Sequence, residues 1–478
     1  MESRTKIVAT IGPASDDPEV LSHLLAAGTS MIRINLSHGS PEEHLERLDR
    51  IRSTAAELGR VVAVLADLPG PKVRAGSFGD EGTELENGAQ VRLVPGNDHS
   101  DADVIQVDYP TLIEDLDTGD HVVLGDGGIR LHVTHVGEGA CHAIVLAGGP
   151  VRGRPGVHIP SERLRLATPT ERDLELAKIF ADAGVDFLAV SFVRTGADLD
   201  EVRRVVGSTG PALVAKIETR PAIDNMPGIL KAADAVMVAR GDLGIELPLE
   251  ELPHLQKRII RQCVEAGVPV ITATQMLESM TTAPSPTRAE VTDVANAVFD
   301  GTDAVMLSGE TAIGADPALV VRTMSRIAAR AEAEASYTHW GERLGRTQLA
   351  DQSVGPDPTT MALTHAAFRA ASDIGISAIL CCTRSGRTVR AMARFRPTCQ
   401  LVGLSPDART VRQMAISWGV QPMEVDTYHA TDELVWFAVE RAVQATHIRP
   451  GEQVIVLAGA PDRPSGAATD VLRVVTVE

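Results

Sequence analysis

The sequence predicts an α/β protein: a closed (β/α)8 TIM barrel with an all-β lid domain inserted into it and a separate α/β domain at its carboxyl end. Three observations lead there. Short apolar, β-branched runs alternate with helical patterns, three before an interruption and five after it. The interruption is about eighty residues of short runs punctuated by Gly and Asp, the pattern of a small β sandwich or barrel. Aromatic residues are scarce at 3% against 44% apolar, so the cores rest on Val, Leu, Ile and Ala, which suits parallel strands covered by helices.

The elements follow in order. "TKIVATIGPAS" is a strand ending at Gly12 and Pro13, and the helical "PEVLSHLLAAG" stops at Gly28. "SMIRINLSHGS" and "PEEHLERLDRIRSTAAELG" repeat the scheme, and "RVVAVLADLPGPKVR" is a third strand ending on Asp67. Pro69, Gly70 and Pro71 break the alternation, which resumes after "ATPTERDLELAKIFADAG", where Thr170 and Asp173 suit a helix start. "DFLAVSF", "ALVAKIE", "AVMVARG", "VPVITAT" and "DAVMLSG" complete eight strands. Tyr337 to Pro358 reads as a linker, and the remainder alternates helix and strand again, closing on a terminal edge pair. The expected bounds are 1–70 and 164–336 for the two parts of the barrel, 71–163 for the lid and 337–478 for the last domain.

The net charge of −19 gives the surface no attraction for nucleic acid or anionic lipid, so an anionic substrate must be drawn in by local cations. No signal peptide or membrane span is expected, and a cytoplasmic location is. The five cysteines, Cys141, Cys263, Cys381, Cys382 and Cys399, form no CxxC pair and read as buried thiols.

In a (β/α)8 barrel chemistry sits at the carboxyl ends of the strands. Those ends carry Arg33, Asn35, Ser37, Asp67, Ser191, Lys216, Glu218, Gly241, Asp242, Thr274, Ser308 and Glu310, a polar group from every strand but the first. Residues two apart on a strand share a face, so Lys216 and Glu218 leave together as cation and anion. Glu218 and Asp242 are the hard oxygen pair that Mg²⁺ takes from protein when phosphate oxygens and water fill its other positions. Lys216 and Arg33 supply fixed positive charge for a migrating phosphoryl group. The turn "ARGDLG" can start a short helix whose free N–H groups receive a carboxylate, with Gly241 permitting close approach. A glycine turn chosen for geometry alone explains it equally.

No GxxxxGK[ST] loop occurs, so nucleotide phosphates would fall to a metal and to side chains such as His38, Lys72 and Arg74. In the last domain Thr383, Arg384, Ser385, Gly386, Arg387 and Thr388 form a hydroxyl-rich loop between strand and helix. It reads either as a phosphate cradle for an effector or as simple N-capping.

Taken together, "TKIVATIGPAS", "MIRINLSHG", "AKIET", "MVARGDLGIELP", "TATQMLESM", "PTRAEVTDVANAVFDGTDAVMLSGETA" and "TRSGRT" stand in an order and spacing that resembles the pyruvate kinase family along almost the whole chain. The resemblance implies phosphoryl transfer from phosphoenolpyruvate to ADP, giving pyruvate and ATP as the last step of glycolysis. It implies Lys216, Arg33 and Thr274 as catalytic residues, with Lys216 at the phosphoryl group and Thr274 near the carbon that is protonated. Arg33, Lys216, Gly241, Asp242 and Thr274 would bind substrate, and Glu218 and Asp242 would hold Mg²⁺ or Mn²⁺. Asn35, His38 and Arg74 would face the nucleotide, and Asn35, Ser37 and Asp67 match the K⁺ ligands. The insertion would be a mobile lid hinged at Pro69 to Pro71. A homotetramer controlled by a phosphorylated effector at Thr383 to Thr388 is implied as well.

Departures from the family pattern are informative. Lys72 replaces a glutamate and Leu68 a threonine, so the Lys72 ammonium would stand in for K⁺ and make that ion dispensable. Thr195 occupies a place where many members have a lysine, and Arg165 lies in an unusual lid segment. Two other readings are a phosphoenolpyruvate sensor without turnover and a relative acting on another enol phosphate or 2-oxo acid.

Overall fold

A computed structural model describes residues 3–125, 127–137, 139–350, 357–427, 431–445, 448–459 and 468–478. Eight parallel strands close into a barrel in chain order: Lys6–Thr10, Met31–Asn35, Ala63–Asp67, Phe187–Val190, Ala212–Ile217, Ala235–Ala239, Val270–Ala273 and Ala304–Leu307. The last pairs with the first, Lys6 opposite Ala304.

Both faces of these strands are buried, and alternate residues part between two cores. Val8, Met31, Leu65, Ala189, Val214, Met237 and Met306 point into the barrel. Their neighbours Ile7, Ile32, Val64, Leu188, Leu213, Val238 and Val305 pack outward under the helices. The helices start where side chains satisfy their free N–H groups. Ser40 with Glu43, and Thr170 with Asp173, form reciprocal capping boxes at the starts of Pro41–Glu57 and Glu171–Asp182.

The inserted domain leaves after Asp67 and returns at Glu171–Asp182. It is a six-stranded sheet, in order Val157–His158, His121–Leu124, Ile129–Gly137, Ala140–Ala147, Gln90–Pro95 and Val104–Val107, beside a small pair, Thr83–Leu85 with Gly149–Val151. It has a core of its own. The last domain holds a five-stranded sheet whose final strand, Val471–Thr476, runs antiparallel to Gln453–Ala458.

That domain docks on the amino-terminal face of the barrel, opposite the mouth. Asp303, just before the eighth strand, receives buried Arg396 at 2.8 Å and the backbone N–H of Trp418. Asp186, just before the fourth strand, receives Arg412 and Arg52 at 2.7 and 2.6 Å. Ala415 and Ile416 join the cluster inside the barrel itself.

The expected linker from Tyr337 is instead largely a helix, Tyr337–Ala350; residues 351–356 lie outside the described residues. Gly341 and Gly345 hide it in the sequence, because glycine lowers helix propensity. They are there for packing. A Cβ at Gly341 would lie 2.3 Å from Phe368 and one at Gly345 2.4 Å from His365, both on the helix Pro358–Ile374.

Candidate active site at the barrel mouth

The stripes that fill the barrel turn polar at its carboxyl end. Continuing each by two residues leads from Val8 to Thr10, Met31 to Arg33, Leu65 to Asp67, Ala189 to Ser191 and Val214 to Lys216. These five side chains form one connected array. Lys216 Nζ donates to Ser191 Oγ at 2.7 Å and stands 2.8 Å from Glu218 Oε1 and 3.4 Å from Asp67 Oδ1. Arg33 Nε donates to Asp67 Oδ2 at 2.6 Å, and Arg33 Nη1 to Thr10 Oγ1 at 3.2 Å. The first strand, from which no polar group was expected, thus contributes through Thr10.

Burial disfavours the Lys216 ammonium, but Asp67, Glu218 and Asp242 overcome it and hold the group well above the ordinary lysine range. Burial likewise opposes the Asp67 carboxylate, and Lys216 with Arg33 keeps it below its usual value. Glu218 goes the other way. Burial pushes its carboxyl up, and the like charge of Asp242 adds to that against the pull of Lys216. Its Oε2 accepts the N–H of Phe192 at 2.8 Å, whereas Oε1 and Asp67 Oδ1 are buried with no hydrogen bond of good geometry. Two crowded carboxylates and under-served oxygens fit a divalent cation. Among the described residues no group of three or more His, Cys, Asp or Glu side chains gathers to hold a metal. Glu218 and Asp242 are a carboxylate pair of the kind Mg²⁺ takes when phosphate oxygens and water supply its other ligands.

The helix Arg240–Glu246 begins directly at the end of the sixth strand. Its Gly241 N–H is not free, as the expected anion turn required, but donates to Thr274 Oγ1 at 2.8 Å. Thr274 and Gln275 have φ of 67° and 53°, left-handed values that a β-branched residue rarely adopts. Arg240 holds them there: its guanidinium donates to Ala273 O, Thr274 O and Gln275 O and pairs with Asp293 at 2.7 Å. Sequence reasoning missed Arg240. Phe192, φ 55°, is the other strained position at the mouth. Gly70, φ 69°, fits beneath it, where a Cβ would meet Phe192 and Ser191 at 2.8 Å.

The remaining candidates divide. His38 is exposed, and after burial the charges of Lys72, Arg74 and Arg33 lower its proton affinity, so these four make a basic rim. Lys72 is exposed on that rim, while Arg74 reaches the carbonyl of Arg154 in the lid at 3.3 Å. Asn35 Oδ1 accepts the N–H of Ser37 at 3.2 Å beside Asp67. Glu310 is fully buried and accepts the N–H groups of Leu277 and Ser308, which makes it an anchor between the last two strand tips rather than a group of the mouth. Thr195 starts the helix Gly196–Val206. Arg165 pairs with Asp115 in the lid at 2.7 Å. Thr383 to Thr388 lie in the last domain, where Gly386, φ 73°, takes the cap position of the helix Arg387–Ala393 and no Ser or Thr caps it by side chain. Thr410 Oγ1 donates to Arg384 O across that loop at 3.1 Å.

The chain matches the pyruvate kinase barrel domain over residues 2–321 and the pyruvate kinase alpha/beta domain over residues 361–475. It belongs to the pyruvate kinase family. Its relatives include the pyruvate kinase of Sporosarcina psychrophila, 40% identical over 476 residues, which covers 98% of this chain and 80% of that one. The pyruvate kinase of Staphylococcus saprophyticus is 39% identical, covering 97% and 79%, and that of Staphylococcus aureus strain USA300 40%, covering 98% and 80%. The function is that of a pyruvate kinase, and the protein is a phosphotransferase. No helix among the described residues is long and apolar enough to cross a membrane.

Proposed function

We infer that the mouth transfers the phosphoryl group of phosphoenolpyruvate to ADP, with Lys216 at the centre of the chemistry. The observation that carries this is the fixed Lys216 ammonium, held by Ser191, Glu218 and Asp67, the last of which also pairs with Arg33. Such a cation is positioned before the reaction begins, so stabilising the charge on a migrating PO₃ unit needs little reorganisation. Arg33 would meet the phosphoryl oxygens from the opposite side. Mg²⁺ or Mn²⁺ held by Glu218 and Asp242 would neutralise phosphate and enolate oxygens. The turn at Gly241 and Asp242, with the Gly241 N–H taken up by Thr274, would border the substrate's carboxylate side, and Thr274 would face the carbon that gains a proton. The rim of Asn35, His38 and Arg74 would receive the nucleotide. Closure of the lid would exclude water, to which the phosphoryl group would otherwise be lost.

A cytoplasmic homotetramer, regulated by a phosphorylated effector at Thr383, Arg384, Ser385, Gly386, Arg387 and Thr388, completes the reading. The deciding experiment couples pyruvate formation to lactate dehydrogenase. Lys216→Met is expected to lose about 10³-fold in kcat, the scale of removing one preorganised charge-stabilising donor. Equal and negligible rates in both proteins would favour a sensor, and turnover of oxaloacetate alone would favour the 2-oxo acid reading.

A further inference from the structure

Glu246 lies one helical turn beyond Asp242, on the same short helix. Its carboxylate is engaged by the chain that leaves the lid. Oε1 accepts the N–H of Ser161 at 3.3 Å and the hydroxyl of Ser161, and the backbone of Arg220 lies close enough to favour the charged form of the same carboxylate. Ser161 belongs to the segment that brings the chain out of the lid, between the strand Val157–His158 and the helix Glu171–Asp182. Arg220 is two residues past Glu218. One half-buried carboxylate thus joins the return hinge of the lid to both segments that carry the proposed Mg²⁺ ligands. Two neighbouring contacts follow the same route. Glu162 pairs with Arg220 at 3.8 Å, and a Cβ on Gly127, in a turn of the lid, would stand 3.7 Å from Ile245.

We propose that Glu246 is a positioning residue that ties the lid's return hinge to the Glu218 and Asp242 segments, so that the placing of the lid and the spacing of the metal-binding carboxylates are set together. This rests on the reading of the mouth given above. A carboxylate is suited to the task because one oxygen can accept both Ser161 donors and leave the other open toward the Arg220 backbone. Glutamine keeps an acceptor oxygen and the side-chain length. Alanine keeps neither.

The test uses the full-length enzyme with Mg²⁺, phosphoenolpyruvate and ADP. Glu246→Ala is expected to lower kcat about tenfold or more with a smaller change in KM, since misplacing reacting groups costs rate more than affinity. Ser161→Ala is expected to act in the same direction, and Glu246→Gln to stay within about threefold of wild type. Because the two residues share one contact, Ser161→Ala with Glu246→Ala should be no worse than Glu246→Ala alone. Wild-type kcat in both single variants, or losses that multiply in the double variant, overturn the proposal. If Glu246→Ala does not fold, Ser161→Ala and Glu246→Gln decide: wild-type kcat in the first, or a tenfold loss in the second, overturns it. Failure of the underlying reading is separate, because it would appear as retained activity in Lys216→Met.

Discussion

Thr274 stands in a backbone conformation that its branched side chain disfavours, at a cost of order 1–3 kcal/mol for such a residue. Arg240 is what keeps it there. Arg240→Ala is expected to release the Thr274 and Gln275 carbonyls and lower kcat about 10²-fold while KM for ADP stays near wild type, as steady-state kinetics would record. Lys72 carries a second prediction at this scale. With its ammonium on the rim near His38, rates in tetramethylammonium buffer should be little changed by KCl, and Lys72→Glu should make K⁺ necessary; a large stimulation of the wild type by K⁺ would refute this. The neighbours Lys216 and Glu218 could be read from the sequence because a strand's period of two places them on one side. Arg240 could not. The carbonyls it holds lie 33 to 35 residues further along the chain and its partner Asp293 lies 53 further, and only closure of the barrel brings them to it.

At the scale of the element, local signals located most helices and strands and misled in one place. Thr170 with Asp173 announces a helix because the cap and the box need specific side chains. Tyr337–Ala350 was obscured because its glycines serve a neighbouring helix at the expense of their own. Gly341→Ala is therefore expected to destabilise the protein by about 1–3 kcal/mol in urea unfolding, through overpacking against Phe368. Gly228→Ala provides the contrast. It sits in the helix Met226–Ala232 with nothing within 4 Å of a new Cβ, and the same change should be neutral or stabilise by up to about 1 kcal/mol.

For the whole molecule, eight strand tips and one interruption were visible in the order of apolar runs, but the seating of the last domain was not. Arg396, Asp303 and Trp418 are distant in sequence, and nothing in "ARFRP" marks its two arginines as buried. Removing one partner of a buried ion pair costs about 3–5 kcal/mol. Arg396→Ala is accordingly expected to split the thermal transition seen by calorimetry, with the last domain released before the barrel melts. A single transition, shifted by less than a degree, would count against that role.

Ala415 and Ile416 have a wider consequence. They stopper the floor of the barrel, so the outermost domain supplies part of the innermost packing. Cutting that domain away would remove any effector site and would also admit water beneath Met31, Leu65 and Val214, two residues below Arg33, Asp67 and Lys216. The seating of the last domain and catalysis in this chain are thus inherited together: a truncated form would lack the dry foundation on which its own chemistry stands.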